Sequence, residues 1–218
     1  MRYPIHLSDQ IKFLLENEDF FKTFGKYTEP YPNKFVRWIA DQYKKDMFEI
    51  HKEFYKLPPA EKSSNFYYTV KFIEDNMVSG GCMTASLFAA SVFRSMGYPA
   101  AILVGINPES IFDNHTNFNN PILKMHAVCL VKIDNSWYIY DMTKGTSSRF
   151  IFLGMLSSGF IPGLIIRDLE DIGVSNKKQM FGLLMYNLKD ILLLDLQKDI
   201  LFKKFYKYYE NIKKSLTK

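Results

Sequence analysis

The sequence predicts an α+β fold with a helix that begins at Cys82, an antiparallel hairpin after it, and extra helices at both ends of the chain. Three observations lead to this prediction. Two glycines precede Cys82, and a segment of small and apolar residues follows it. Two alternating strands then flank an Asp134-Asn135 turn. Segments with helical periodicity precede residue 60 and follow residue 175.

Composition favours one domain in a reducing compartment. The chain has 218 residues, of which 47% are hydrophobic, so a single core over residues 1–218 is expected. Two cysteines argue against a disulfide scaffold and indicate a cytoplasmic protein.

The first residues lack the apolar centre of a signal peptide. The apolar run over 150–166 is broken by glycine, serine and proline, which predicts paired buried strands and no membrane partner.

Charge does not indicate a nucleic-acid partner. The net charge is +5, but the chain has only five arginines, and arginine is the usual residue for bidentate phosphate and base contacts. The segment 203–209 interleaves lysines with aromatic residues. At helical spacing its aromatic side chains form one apolar stripe with the lysines on the wet face, so we interpret it as an amphipathic helix.

Helices are predicted before the glycine pair. The first is capped by Ser8 and stopped by Gly25. A long helix starts at Asn33 and ends at Pro58-Pro59. A third helical segment covers about 63–78.

The central part predicts a helix, a strand and a hairpin. The helix of Cys82 runs to Met96 and is closed by Gly97, and a buried strand covers 101–106. In the hairpin, Cys129 alternates out of phase with His126, so Cys129 is expected in the core.

Cys82, His126 and Asp141 are the residue types of an acylating cysteine site. A thiol at a helix N-terminus is favoured as thiolate by the helix dipole. An imidazole takes the thiol proton, and a carboxylate holds the imidazole in the useful tautomer. The short hairpin is suited to bringing His126 and Asp141 together on one face.

Two blocks of the sequence resemble the transglutaminase-like superfamily. The first resembles its cysteine helix, and the second resembles its histidine and aspartate strands. The first block comprises residues 81–90 with Arg94, Gly97, Pro99-Ala100 and Gly105; the second comprises His126-Ala127, Val131, Asp134-Asn135, Trp137 and Asp141-Met142-Thr143.

The resemblance implies a papain-like α+β core over residues 75–145, with Cys82, His126 and Asp141 as catalytic residues. Helices over 1–60 and strands and helices over 150–218 are additions to that core. The implied activity is thiol-dependent acyl transfer or hydrolysis at a protein or peptide amide bond, by a transglutaminase-like or cysteine-peptidase-like enzyme. No cofactor and no metal is expected, and the oligomeric state stays open.

An oxyanion hole is required by this chemistry. The backbone N–H of Cys82 is the natural first donor. For the second donor we consider Asn76, six residues earlier, as a side-chain amide. Trp38 is the other candidate, although its spacing predicts a core position.

Three other functions remain open at this stage, one of which, nucleic-acid binding, rests on charge alone; zinc binding is a further possible use of the same three residues. A binding module would keep the fold without turnover. An arylamine N-acetyltransferase-like enzyme uses the same order of groups, but the arginine before its glycines is Ser79 here. A zinc site could use Cys82, His126 and Asp141, yet the close ligand pairs common in metal sites are missing.

Overall fold

The computed structural model describes residues 3–61, 67–106, 125–150, 161–174 and 176–193. These residues form seven α-helices, two short 3₁₀-helices and one five-stranded sheet. The helices are α1 (Leu7–Glu16), α2 (Glu18–Lys22), α3 (Phe35–Gln42), α4 (His51–Phe54), α5 (Val70–Asn76), α6 (Cys82–Ser95) and α7 (Lys177–Leu193), with 3₁₀ turns at Met47–Glu49 and Leu169–Ile172. The strands are β1 (Ala100–Ile106), β2 (Met125–Ile133), β3 (Ser136–Asp141), β4 (Thr146–Arg149) and β5 (Ile161–Ile166).

The sheet is antiparallel throughout its described pairs, in the order β4-β3-β2-β1-β5. Strands β2 and β3 form the predicted hairpin, which closes at the pair Ile133 and Ser136. Asp134 in its turn has a φ of 53°, a left-handed conformation that Asp and Asn tolerate better than most residues. The fold-class prediction is confirmed.

Apolar side chains cover both faces of the sheet. On one face, alternate strand residues such as Ile102, Cys129 and Tyr140 pack in a large cluster with α3, α5, α6 and α7. On the other face, Leu103 and Leu130 belong to a smaller cluster with α1 and α2. Cys129 is fully buried, as its alternation predicts.

Helix α6 is the central helix of the large cluster, and it carries Cys82 at its first position. Every residue from Met83 to Arg94 is buried, because small side chains let neighbouring elements approach closely. At its far end the buried Arg94 guanidinium donates to the carbonyl oxygens of Phe21, Ala100 and Arg167. These bonds tie α6, the helix that carries Cys82, to the N-terminal region and to the sheet.

The predicted long helix from Asn33 to Pro58 is wrong. It is divided into α3, a 3₁₀ turn and α4, and Lys44, Lys45 and Asp46 between them are exposed. That stretch offers no apolar side chain for burial, so packing does not stabilise a continuous helix there.

Two smaller predictions in the N-terminal region are also wrong. Trp38 is not a core residue: it is 50% exposed and stacks on Phe35, while Val36 and Ile39 occupy the buried side of α3. The first helix is interrupted at Asn17, and its N-cap is His6 rather than Ser8.

The remaining predictions are only partly covered by the described residues. Of the apolar run over 150–166, residues 161–166 form the buried strand β5, and residues 151–160 lie outside the description. The Asn-rich segment over 107–123 and the aromatic segment over 203–209 also lie outside it. Within the described residues, no helix is both long and apolar enough to cross a membrane.

Candidate active site

Cys82 lies at the first position of α6, directly after the two glycines. Gly81 is the N-cap residue, with an extended backbone. Gly80 lies so close to Thr84 that a Cβ there would come within 2.8 Å of its side chain, whereas a Cβ at Gly81 would meet nothing. The Cys82 side chain is half-buried, at the helix end where backbone N–H groups favour an anion.

His126 and Asp141 are joined at the ends of β2 and β3. His126 Nε2 lies 2.8 Å from Asp141 Oδ2. The other carboxylate oxygen, Oδ1, accepts hydrogen bonds from the backbone N–H and the hydroxyl of Thr143, at 3.0 and 2.6 Å. Both oxygens of the Asp141 carboxylate are therefore hydrogen-bonded, and the carboxylate orients the imidazole through its Nε2 side.

The Cys82 thiol is hydrogen-bonded to the His126 side chain, and the backbone N–H groups of Ala127 and Met83 also donate to the sulfur. Because Asp141 engages Nε2, Nδ1 is the ring nitrogen available to the thiol. The structure thus brings the three predicted side chains together, with the imidazole between the sulfur and the carboxylate.

The contacts favour the charged forms of both Cys82 and His126. Burial works against ionisation of Cys82, but the hydrogen bond and charge of His126 outweigh it and lower the thiol pKa. Burial likewise opposes charge on His126, yet the bonds to Asp141 and Cys82 raise its pKa to about 9. Asp141 is also desolvated, but its bonds to His126 and Thr143 hold its pKa below the usual value. Such a thiolate–imidazolium pair supplies a nucleophile and a proton donor in one contact.

Asn76 is the last residue of α5, and its side-chain amide donates to the carbonyl oxygen of Phe72 at 2.9 Å. It lines a cavity of about 600 Å³ whose wall also includes the aromatic rings of Tyr27, Tyr68 and Phe72. One amide hydrogen is therefore used within the helix itself. The role of Asn76 as an oxyanion donor stays a prediction.

Tyr55 follows α4 and is within electrostatic range of Cys82 and Asp141. Its hydroxyl interacts electrostatically with both Cys82 and Asp141, and after burial these two charges are the causes that raise its pKa to about 12. In the sequence, Tyr55 follows Phe54 within what reads as one amphipathic helix, so no local signal separates it from the core aromatics.

His51 was also missed. Its backbone N–H donates to the hydroxyl of Tyr140 at 3.0 Å, and its ring Nδ1 lies 2.9 Å from the same oxygen. Its Nε2 lies 2.5 Å from where a Cβ of Gly145 would be. His51 therefore connects α4 with the residues on both sides of Asp141.

The residues that the structure describes contain no candidate metal site. There, no group of three or more His, Cys, Asp or Glu side chains is arranged to hold a metal ion. Cys129 is not available as a ligand near Cys82, because it is buried in the core and burial raises its pKa far above the usual thiol value.

Comparisons with known proteins give two structural similarities. No family profile and no curated protein sequence matches the chain. Among solved structures, a candidate cysteine protease from Cytophaga hutchinsonii is similar with 16% identity and a TM-score of 0.47, over 74% of this chain and 50% of the other. LapG of Legionella pneumophila is similar with 13% identity and a TM-score of 0.42, over 78% of this chain and 93% of the other. This chain spans only half the length of the Cytophaga protein.

The core consists of a helix and an antiparallel sheet that together carry the candidate catalytic residues. A helix with a cysteine at its first position packs against an antiparallel sheet, and adjacent strands of that sheet carry a hydrogen-bonded histidine and aspartate. The described core therefore has the transglutaminase-like arrangement that the two sequence blocks resemble.

Proposed function

We propose that this protein is a thiol-dependent enzyme that cleaves or transfers the acyl group of a protein or peptide amide through Cys82, His126 and Asp141. The observation that carries the proposal is the hydrogen-bonded series of thiol, imidazole and carboxylate, in which the pKa of Cys82 is lowered and that of His126 is raised to about 9.

The reaction follows from these groups. The Cys82 thiolate attacks the amide carbonyl carbon, and the His126 imidazolium gives its proton to the departing amine. Asp141 keeps the ring oriented and stabilises its positive charge. The thioester then passes its acyl group to water, which is hydrolysis, or to a second amine, which is transfer.

The first test uses the two cysteines of the same molecule. Folded protein is treated with iodoacetamide between about pH 5 and 10, and the labelling of Cys82 and Cys129 is measured separately by peptide mass spectrometry. Cys82 should label much faster near neutral pH, and its rate should stay high below the ordinary thiol pKa of about 8.5. Cys129 should label slowly throughout, because it is fully buried.

His126→Ala provides the control, since it removes the partner that lowers the thiol pKa. In this variant the Cys82 profile should move back to alkaline pH. Equal, slow labelling of both cysteines in the folded wild-type protein would contradict the proposal.

The pH dependence of turnover separates the thiolate from the proton donor. Amide turnover should fall above about pH 9, where His126 loses the proton that the leaving amine needs. Alkylation of Cys82 needs only the thiolate, so it should not fall over the same range.

A further inference from the structure

Asp141 is the last residue of β3, and the backbone of the turn that follows it is fixed by both strands. The backbone N–H of Lys144 donates to the carbonyl oxygen of Asp141 at 3.2 Å. Gly145 takes a φ of 62°, a left-handed conformation that favours glycine. Thr146 then begins β4 directly opposite Asp141. The path of residues 142–145 is therefore set by the hairpin that they close.

The same turn is anchored to the rest of the molecule on either side of Thr143. Met142 is 2% exposed and belongs to the large cluster. The His51 ring lies against Gly145, since a Cβ there would be 2.5 Å from Nε2, and His51 is itself bonded to Tyr140. Thr143 is exposed between these anchors, so its neighbours set its position and packing of its own side chain does not.

The Thr143 side chain is directed at Asp141. Its hydroxyl donates to Oδ1 at 2.6 Å, and its backbone N–H donates to the same oxygen at 3.0 Å. The other oxygen, Oδ2, lies 2.8 Å from His126 Nε2. Because Asp141 is only 7% exposed, hydrogen bonds from the protein replace most of the hydration of its carboxylate.

A carboxylate that is bonded at one oxygen only is free to rotate. The χ2 torsion of aspartate has broad, roughly two-fold preferences, so the bond to His126 alone does not fix the plane of the Asp141 carboxylate. A second bond at Oδ1 does fix it. This bond comes from a residue whose backbone is already ordered, so little conformational freedom is lost when it forms. Burial raises the pKa of Asp141, but its bonds to His126 and Thr143 lower that pKa more, so the same contacts favour the charged carboxylate.

We propose that Thr143 is a positioning residue, whose hydroxyl fixes the plane of the Asp141 carboxylate so that Oδ2 stays directed at His126 during the reaction. This inference rests on the proposed function. Thr143 does not touch the substrate in this role. Its effect reaches Cys82 through Asp141 and the His126 ring, which lies between the carboxylate and the thiol.

The experiment compares two changes at Thr143 with one change at Thr146. Thr143→Val removes the hydroxyl but keeps the branched shape and the backbone N–H. Thr143→Ser keeps the hydroxyl and should therefore behave as wild type. Thr146→Val makes the same chemical change three residues later, at an exposed position of β4. Far-UV circular dichroism and urea denaturation check that the variants fold.

Two measurements report on the carboxylate rather than on the stability of the fold. Nitrogen-15 NMR titration of labelled histidine gives the pKa of His126, whose signal is assigned by its loss in His126→Ala. Burial lowers this pKa, but the bonds to Asp141 and Cys82 raise it to about 9 in the wild-type protein. Iodoacetamide labelling across pH gives the pKa of Cys82.

Thr143→Val should lower the pKa of His126 and raise that of Cys82. Each shift should be about half a unit, since the net contribution of one hydrogen bond corresponds to about one unit or less. Hydrolysis of p-nitrophenyl acetate, followed by the absorbance of p-nitrophenolate, should fall about tenfold, because a misplacement of about 1 Å can cost up to roughly 10²-fold in rate.

The possible results separate the role of Thr143 from the proposed function. Shifts in Thr143→Val that Thr143→Ser restores and Thr146→Val does not share support the assignment. Wild-type pKa values in Thr143→Val overturn it, even if stability falls, and so do shifts that Thr143→Ser shares; in both cases the proposed function stands. If wild-type Cys82 is alkylated rapidly but the protein does not hydrolyse p-nitrophenyl acetate, the proposed function fails, and the catalytic role of Thr143 fails with it.

Discussion

At the scale of single residues, hydrogen bonds shift the pKa of each group of the site. Asp141 uses one oxygen for His126 and the other for Thr143, so its position does not depend on His126 alone. Its negative charge raises the pKa of His126, and the imidazolium in turn lowers the pKa of Cys82. The reactivity of the thiol therefore depends on a carboxylate that acts on it through the imidazole ring between them.

Replacement of Asp141 tests this dependence. Asp141→Asn keeps the shape and removes the charge, so the pKa of His126 should fall and that of Cys82 should rise. The iodoacetamide profile of Cys82 should move towards alkaline pH by about one unit or more, the usual effect of one close charge.

Asp134→Asn is the matched control for that experiment. It makes the same chemical change in the turn of the same hairpin, where the side chain is exposed and the left-handed backbone accepts Asn. Its alkylation profile should be that of wild type. An unchanged profile in Asp141→Asn would mean that Asp141 does not control the imidazole.

At the scale of elements, the glycine pair before α6 determines where Cys82 lies. The two glycines differ in their surroundings, because Gly80 is packed against Thr84 and Gly81 faces open space. Thr84 is buried, and its hydroxyl accepts a hydrogen bond from the backbone N–H of Tyr68 at 3.0 Å. The Thr84 side chain therefore cannot easily move away from Gly80.

Alanine at the two positions should therefore have unequal effects. Gly80→Ala would bring a methyl group within 2.8 Å of Thr84 and should displace the loop, with a loss of stability of about 1–3 kcal/mol and slower labelling of Cys82. Gly81→Ala should be tolerated, since its φ of −68° is ordinary for alanine. Urea denaturation and iodoacetamide labelling of both variants measure the difference; equal effects would contradict this account.

At the scale of the whole molecule, segments far apart in the chain cover the same sheet. Helices α1 and α2 pack on one face, and α7 packs on the other beside α6. In α7, Leu184 is fully buried and lies so close to Gly163 of β5 that a Cβ there would collide with it. Helices α1, α2 and α7 therefore pack on the core, whereas a single domain over the whole chain stays a prediction.

Truncation of the Leu184 side chain measures how much α7 contributes. Leu184→Ala should lower the free energy of unfolding by about 2–5 kcal/mol, because it leaves a cavity against the strand. Tyr186→Ala changes the same helix at a position that is 51% exposed, so its effect should be much smaller. Urea denaturation compares the two. A similar loss for both would show that α7 is not an integral part of the core.

Much of the candidate site could be predicted from the sequence, because its signals are local. Two glycines before a cysteine and a small-residue segment predict a helix N-terminus, and the Asp134-Asn135 turn between alternating strands predicts a hairpin. Both elements are present, as α6 and as β2 with β3. The identity of the three grouped side chains followed from their order and from the family resemblance.

The sequence by itself therefore determined the fold class, the helix that begins at Cys82 and the hairpin of His126 and Asp141. Tertiary structure decided what depends on packing between distant segments. Strict alternation assigns His126 to the face of Val128 and Leu130, away from α6. The contact of His126 with Cys82 is a tertiary contact that this alternation does not predict. Helix α4 is anchored through His51 to Tyr140 and through Phe54 to Phe88, and no local pattern encodes these contacts because the paired residues lie far apart in the chain.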